Sequence, residues 1–213
     1  MQKKIFTIKN VLQEGWELTK SNIGFLIVYQ IILFFLIWLF SDPQETFKFT
    51  MMSLIGWVII ILGKMGFINS TLLLTKGLRP SFNQFYCNWR LLFSWIIASF
   101  LFSVMLTLGL VLLIIPGLLI LATFGFFPFF ILDKGLGPIE ALKQSLEATR
   151  NNRWHILLLF LTCAGLNFLG LLCFGIGILI SAPVTMIASA VVYRNISGQG
   201  ETSIQPDDII PLT

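Results

Sequence analysis

The chain has 213 residues, of which 56% are hydrophobic and 11% charged, and its mean hydropathy is +0.89. That excludes a soluble globular domain, whose surface needs far more charge, and marks an integral membrane protein. The net charge of +4 is explained by where the basic residues fall along the chain and calls for no nucleic-acid partner.

Residues 1–22 are polar, with no secretory cleavage site after the first apolar run. Within them Ile8, Val11, Leu12 and Trp16 alternate with Lys9, Gln13, Glu17 and Lys20 at helical spacing, predicting an amphipathic helix. A first span follows over 23–40, and a second over 51–75 with Lys64 inside it. A third runs over 91–115, closed by Ile115-Pro116-Gly117 read as a tight turn. The run 118–132 is 15 residues, only about 22 Å of helix against a core of about 30 Å. It reads as a short fourth span kinked at Pro128, or as one arm of a re-entrant hairpin in a four-span protein. Spans five and six cover 155–174 and 177–193, and a polar tail occupies 197–213. The predicted fold class is all-α: residues 1–196 form one membrane domain, a polytopic bundle of six transmembrane helices with interfacial amphipathic helices.

Orientation follows from lysine and arginine alone. With six spans, twelve of the 14 basic residues fall on one side, leaving Lys48 opposite and Lys64 within a span. Both termini are therefore expected in the cytoplasm.

"KGLRP" at 76–80 recurs as "KGLGP" at 134–138, and "VLQEGWELTKSN" at 11–22 aligns with "ALKQSLEATRNN" at 141–152. Leu12 faces Leu142, Glu17 faces Glu147, Thr19 faces Thr149, Lys20 faces Arg150 and Asn22 faces Asn152. A threefold internal repeat is predicted, each unit an amphipathic helix and two spans, with the middle copy shortened to "SFNQFYCNWR". In the helix after Pro138, Ile139, Leu142 and Leu146 form the expected apolar stripe, and Glu147 is positioned to pair with Arg150. Such helices lie in the interface, apolar side down. Trp16, Lys20, Lys143, Arg150, Arg153 and Trp154 then form a cytoplasmic collar against anionic headgroups. The collar is either a simple anchor or a surface for a membrane or cytoplasmic protein partner.

Catalytic chemistry finds little to work with. The one histidine, His155, lies at a span entrance with no acid placed to orient it, and Cys87, Cys163 and Cys173 fit no metal spacing. Neither a phosphate-binding loop nor a nucleophile elbow is present, so no enzyme activity, cofactor or metal is expected. Lys64 is the exception to a bland membrane chain, since a lysine at mid-span costs about 2.5–3.5 kcal/mol. It either snorkels outward or belongs to a polar site. Partners expected for it are carbonyls near Gly63 and Gly66, the side chains of Asn69, Ser70 or Asn167, water, or a lipid phosphate. Ser99, Ser103 and Thr107, and likewise Ser181, Thr185 and Ser189, predict close helix packing. The glycines of 165–177 with Pro183 make the last two spans interruptible.

"LLIIPGLLIL", "DKGLGPIEALKQSLEATRNNRWHI" and "APVTMIASAVVYRNI" together resemble a bacterial family over about residues 5–196. It is the membrane domain that precedes some glycerophosphodiester phosphodiesterase catalytic domains, with its stand-alone YciC-like relatives. The catalytic half has no counterpart here, so no esterase activity is implied. What the resemblance implies is a six-span inner-membrane protein of envelope or lipid organisation. Two functions stay open: a non-enzymatic lipid-organising or scaffolding protein, and a small transporter or lipid-translocating protein built around Lys64.

Overall fold

The computed structural model describes residues 7–40, 48–80, 89–172, 175 and 177–198. All regular structure among them is helical: α1 (Ile8–Ser21), α2 (Ile23–Leu39), α3 (Lys48–Thr75), α4 (Leu92–Leu112), α5 (Ile114–Phe124), α6 (Phe127–Lys134), α7 (Pro138–Thr149), α8 (Arg153–Leu172) and α9 (Ile178–Ile196), with a 3₁₀ turn over Trp89–Leu91. Most of the shortened middle copy, Cys87, Cys173 and the tail from 199 onward lie outside the described residues.

Five helical segments are long and apolar enough to cross a membrane: Ile55–Thr75, Leu92–Leu112, Ile114–Lys134, Arg153–Leu172 and Ile178–Ile196. The number rises to six if α1 and α2, bent by 88° at their junction, count as one crossing. Only 17% of the most apolar window in α4, and the same share in α8, is buried. These two therefore present their leucines and phenylalanines to the bilayer, where apolar surface carries no penalty.

The break after the third span lies earlier than expected, and this removes the short-span problem. Leu113 is extended (φ −166°, ψ 143°), and α5 begins at Ile114. Pro116 then falls in the first turn of α5, where its missing N–H would have had no helical partner in any case. With α6 the segment Ile114–Lys134 is 21 residues, about 31 Å of helix, enough to span. Nor is Pro128 the site of the interruption. The helix pauses at Gly125-Phe126, and Pro128 is the second residue of α6, again a position where its ring is tolerated. Gly125 is needed at the pause, since a Cβ there would meet the Leu121 carbonyl at 2.6 Å. The α4–α5 hairpin closes where Gly109 meets Gly117, a Cβ on the former lying 3.1 Å from the latter's Cα.

Helix α9 is the axis of the bundle, packed against α1, α2, α3 and α8. Every residue from Ile187 to Tyr193 is buried, and the small Ala188, Ser189 and Ala190 let neighbours approach. Of the serine–threonine pattern on this helix Thr185 and Ser189 are buried, the Ser189 hydroxyl donating within the helix to the Thr185 carbonyl at 2.8 Å. The matching pattern on α4 is not buried. Ser103 and Thr107 are exposed, and α4 buries Trp95, Ala98 and Gly109 instead. Although their glycines and Pro183 make the last two spans interruptible, α8 runs unbroken through Gly165 and Gly170, and α9 continues through Pro183.

Helices α1 and α7 dock largely by small residues, with one apolar residue from each expected stripe, Val11 and Leu142, buried beside them. The buried positions of α1 are Val11, Gly15 and Thr19. A Cβ at Gly15 would lie 3.0 Å from the Val184 carbonyl and 3.2 Å from the Ala188 nitrogen of α9. Helix α7 buries Ala141, Leu142, Ser145 and Thr149. Ile139, expected on its apolar stripe, is 70% exposed, and Glu147 and Arg150 form no ion pair with each other. The Ser145 hydroxyl donates to the Thr123 carbonyl at 2.8 Å, and the Thr149 hydroxyl, 3.1 Å from it, is shared with the Ser145 carbonyl at 2.8 Å. The Thr123 carbonyl lies in the last turn of α5, where the pause at Gly125-Phe126 leaves it without a helical partner, so α7 caps the break from outside.

At one end of the bundle a polar cluster ties three helices. Asp133, its side chain 4% exposed, accepts from the Lys76 ammonium at 2.6 Å and from the Tyr193 hydroxyl at 2.8 Å. Arg194 donates from Nη1 to the Thr75 carbonyl. Gly77 and Gly135, at φ +73° and +65°, end α3 and α6 in the left-handed conformation, and so deliver Lys76 and Asp133 to the same level.

Candidate functional site

A cavity of about 380 Å³ opens between α2, α3, α4, α8 and α9, within the range of about 300–1,000 Å³ typical of ligand pockets. Its walls are mostly apolar: Leu33, Phe34 and Ile37 from α2, Phe67 and Ile68 from α3, Trp95 from α4, and Ala182 and Met186 from α9. Its polar groups are Gln30, Lys64, Asn167 and Thr185.

The surrounding helices fix these groups by ordinary packing. Lys64 stands near the middle of the Ile55–Thr75 window, and α3 is held beside α2 by the Tyr29 hydroxyl, which donates to the Gly63 carbonyl at 3.0 Å. The Tyr29 and Phe67 rings lie 5.5 Å apart across the same contact. On the opposite wall, α8 and α9 approach where a Cβ on Gly170 would fall 2.9 Å from the Gly177 carbonyl carbon. This closeness lets the Asn167 amide donate from Nδ2 to Thr185 Oγ1 at 3.2 Å.

Of the expected intramembrane residues, Lys64 and Asn167 line this one cavity and Asn69 does not. Asn69 is five residues along α3 from Lys64, about 140° around the helix. The expected carbonyl partners are engaged elsewhere, Gly63 by Tyr29 and Gly66 by the Ser70 hydroxyl at 2.9 Å. Among the described residues nothing pairs with Lys64, whose side chain is exposed at the cavity. Gln30, Trp95 and Thr185 complete the site, although none stood out as a candidate for it. Gln30, an amide within an otherwise apolar first span, was the available signal.

The collar residues do not converge. Trp16, Lys20, Lys143, Arg150 and Trp154 are exposed, whereas Arg153 is half-buried, with its Nε lacking a hydrogen-bond partner. Cys163 is a buried free thiol.

The arrangement offers a cation, two amides and a hydroxyl in a largely apolar chamber inside the membrane-crossing segments. Such a chamber suits an amphiphile better than a fully hydrated solute. The fold and its apolar windows define a polytopic helical membrane protein. A profile described as a domain of unknown function, DUF7847, matches residues 51–199, more than half of the chain, and the chain belongs to that family. The matched region contains Lys64, Trp95, Asn167 and Thr185, while Gln30 and α2 precede it. No curated protein and no solved structure matches the chain.

Proposed function

We propose that this is a non-enzymatic six-span protein of the bacterial inner membrane, both termini cytoplasmic, that organises lipid by holding an anionic amphiphile around Lys64. The observation that carries the reading is the cavity itself. Its lysine is unpaired among the described residues and stands near mid-span, where an uncompensated charge is expensive. An anionic headgroup drawn to that depth compensates the ammonium, and an acyl chain fills the space along Phe34, Phe67 and Met186.

The six-span count is supported by the 88° pair α1 and α2 acting as one crossing, and the orientation by the one-sided distribution of basic residues. The repeat is supported by two helices that bury equivalent positions, Val11, Gly15 and Thr19 in α1 against Ala141, Ser145 and Thr149 in α7. The backbone N–H groups of Asn22 and Asn152 donate in the same way to the Thr19 and Thr149 carbonyls, at 3.1 and 3.0 Å. The exposed collar residues suit contact with anionic headgroups at the cytoplasmic face. Resemblance to the phosphodiesterase-associated and YciC-like membrane family points toward the same envelope and lipid role. The alternative, a lipid-translocating or transport protein, uses the same cavity but adds movement of its occupant. Scrambling of a headgroup-labelled lipid in vesicles separates it from static binding.

Trp95 lines the cavity and is buried, so it can report an occupant. In protein whose other five tryptophans are replaced by Phe, brominated-chain phosphatidylglycerol is expected to quench Trp95 well beyond brominated phosphatidylcholine at equal surface density. Lys64→Met abolishes the difference and Lys64→Arg retains it. Equal quenching by the two lipids in the parent protein contradicts the proposal.

A further inference from the structure

The cavity also bears on which anionic amphiphile it takes, an inference that rests on the lipid-binding reading above. Thr185 Oγ1 donates its only hydrogen to the Ala182 carbonyl at 3.0 Å. In that arrangement it accepts from Asn167 Nδ2 at 3.2 Å, and the amide's Oδ1 is turned away. That Oδ1 is buried and has no hydrogen-bond partner. One turn earlier on α9, the Ser181 hydroxyl is also buried without a partner, near the α8 backbone at Gly170. Two of the three unpartnered buried side-chain atoms among the described residues thus lie along the α8–α9 contact that forms one wall of the cavity. A buried acceptor without a donor is costly in a low-dielectric interior and asks what completes it. No lysine, arginine or backbone N–H of the described residues does so.

We propose that the occupant brings the missing donor: it is an anionic phospholipid with hydroxyls on its headgroup, a glycerol-headed lipid, rather than an anionic lipid with a donor-free head. The phosphate meets Lys64, a headgroup hydroxyl entering beside Asn167 donates to its Oδ1, and Gln30 lines the same chamber from α2. Charge alone makes Lys64 a general anion site. The orphaned acceptor makes the site selective.

Phosphatidylglycerol and phosphatidylmethanol carry the same single charge and differ in the headgroup hydroxyls, so they isolate this term. In the Trp95 reporter, brominated phosphatidylglycerol is expected to be displaced by unlabelled phosphatidylglycerol about three- to tenfold more effectively than by phosphatidylmethanol, the range of one hydrogen bond. Asn167→Leu, close in volume, narrows the ratio to near unity while binding of both lipids persists; Lys64→Met loses both. Equal displacement by the two lipids in the parent protein overturns the hydroxyl assignment and leaves anion binding standing. A ratio unchanged by Asn167→Leu overturns the contact assigned to Asn167. Failure of either lipid to quench the parent protein overturns the lipid-binding reading itself, and this inference with it. The parent-protein competition needs no variant, so a poorly folding Asn167→Leu does not stall the test.

Discussion

Lys76→Ala is expected to destabilise the folded protein by about 3 kcal/mol, near the lower end of the cost of breaking a buried ion pair from one side. The reason is an asymmetry of burial. Asp133 is 4% exposed at its side chain and Lys76 is 36% exposed, so removing the lysine takes a contacting cation from a buried carboxylate, with the Tyr193 hydroxyl still donating. The reverse truncation, Asp133→Ala, frees a lysine that can turn to water or headgroups. Its main cost is the Tyr193 hydroxyl left without that acceptor, about 1–3 kcal/mol. Combining the two substitutions removes the buried charge, and the double variant is expected to be more stable than Lys76→Ala alone. Equilibrium unfolding in mixed micelles reads all three. Strict additivity, or an Asp133→Ala variant worse than Lys76→Ala, would mean that the cluster does not join α3, α6 and α9 as described.

Gly15→Val is the second large effect. The added Cβ would press against the Val184 carbonyl and the Ala188 nitrogen, backbone atoms of a helix buried on several sides that cannot shift as a flexible side chain can. Overpacking of this kind costs about 1–3 kcal/mol, and here the strain is relieved by lifting α1 off α9. Thr19, 1% exposed on the docked face, then becomes accessible. In a background without the native cysteines, Thr19→Cys resists maleimide in the parent and reacts at least tenfold faster with Gly15→Val. The equivalent change in α7, Ser145→Val, removes a donor to the Thr123 carbonyl and is expected to loosen α7 in the same way. Unchanged protection of Thr19→Cys would show that α1 is held by something other than this close approach.

Much of the architecture was legible because the bilayer imposes a simple rule: long apolar runs separated by charge. The α8 and α9 segments follow directly from that. The boundaries around Pro116 and Pro128 were not legible, because a proline in the first turn of a helix and a proline at a break look alike in sequence. Spacing alone placed only part of the docking faces of α1 and α7, Val11 and Leu142. Periodicity favours the largest apolar residues, such as Ile139 and Trp16, yet close packing between helices selects Gly15, Ser145 and Thr149. At the site, Lys64 announced itself by its cost in the membrane. Its companionship with Asn167 rather than Asn69 required the rotation of α3 relative to α8, which no local pattern encodes. The Asp133 cluster was invisible for a related reason, since Lys76 and Tyr193 are distant in sequence and meet only when three helix ends coincide.

Native mass spectrometry of the protein released from detergent, beside Lys64→Met and Lys64→Arg, tests the central claim most directly. The account predicts one anionic phospholipid retained by the parent and by Lys64→Arg, and lost from Lys64→Met while the folded mass and charge-state distribution stay unchanged. An equal complement of bound lipid in the parent and in a folded Lys64→Met would contradict it, leaving the cavity as packing space and Lys64 as a lysine reaching for the headgroups.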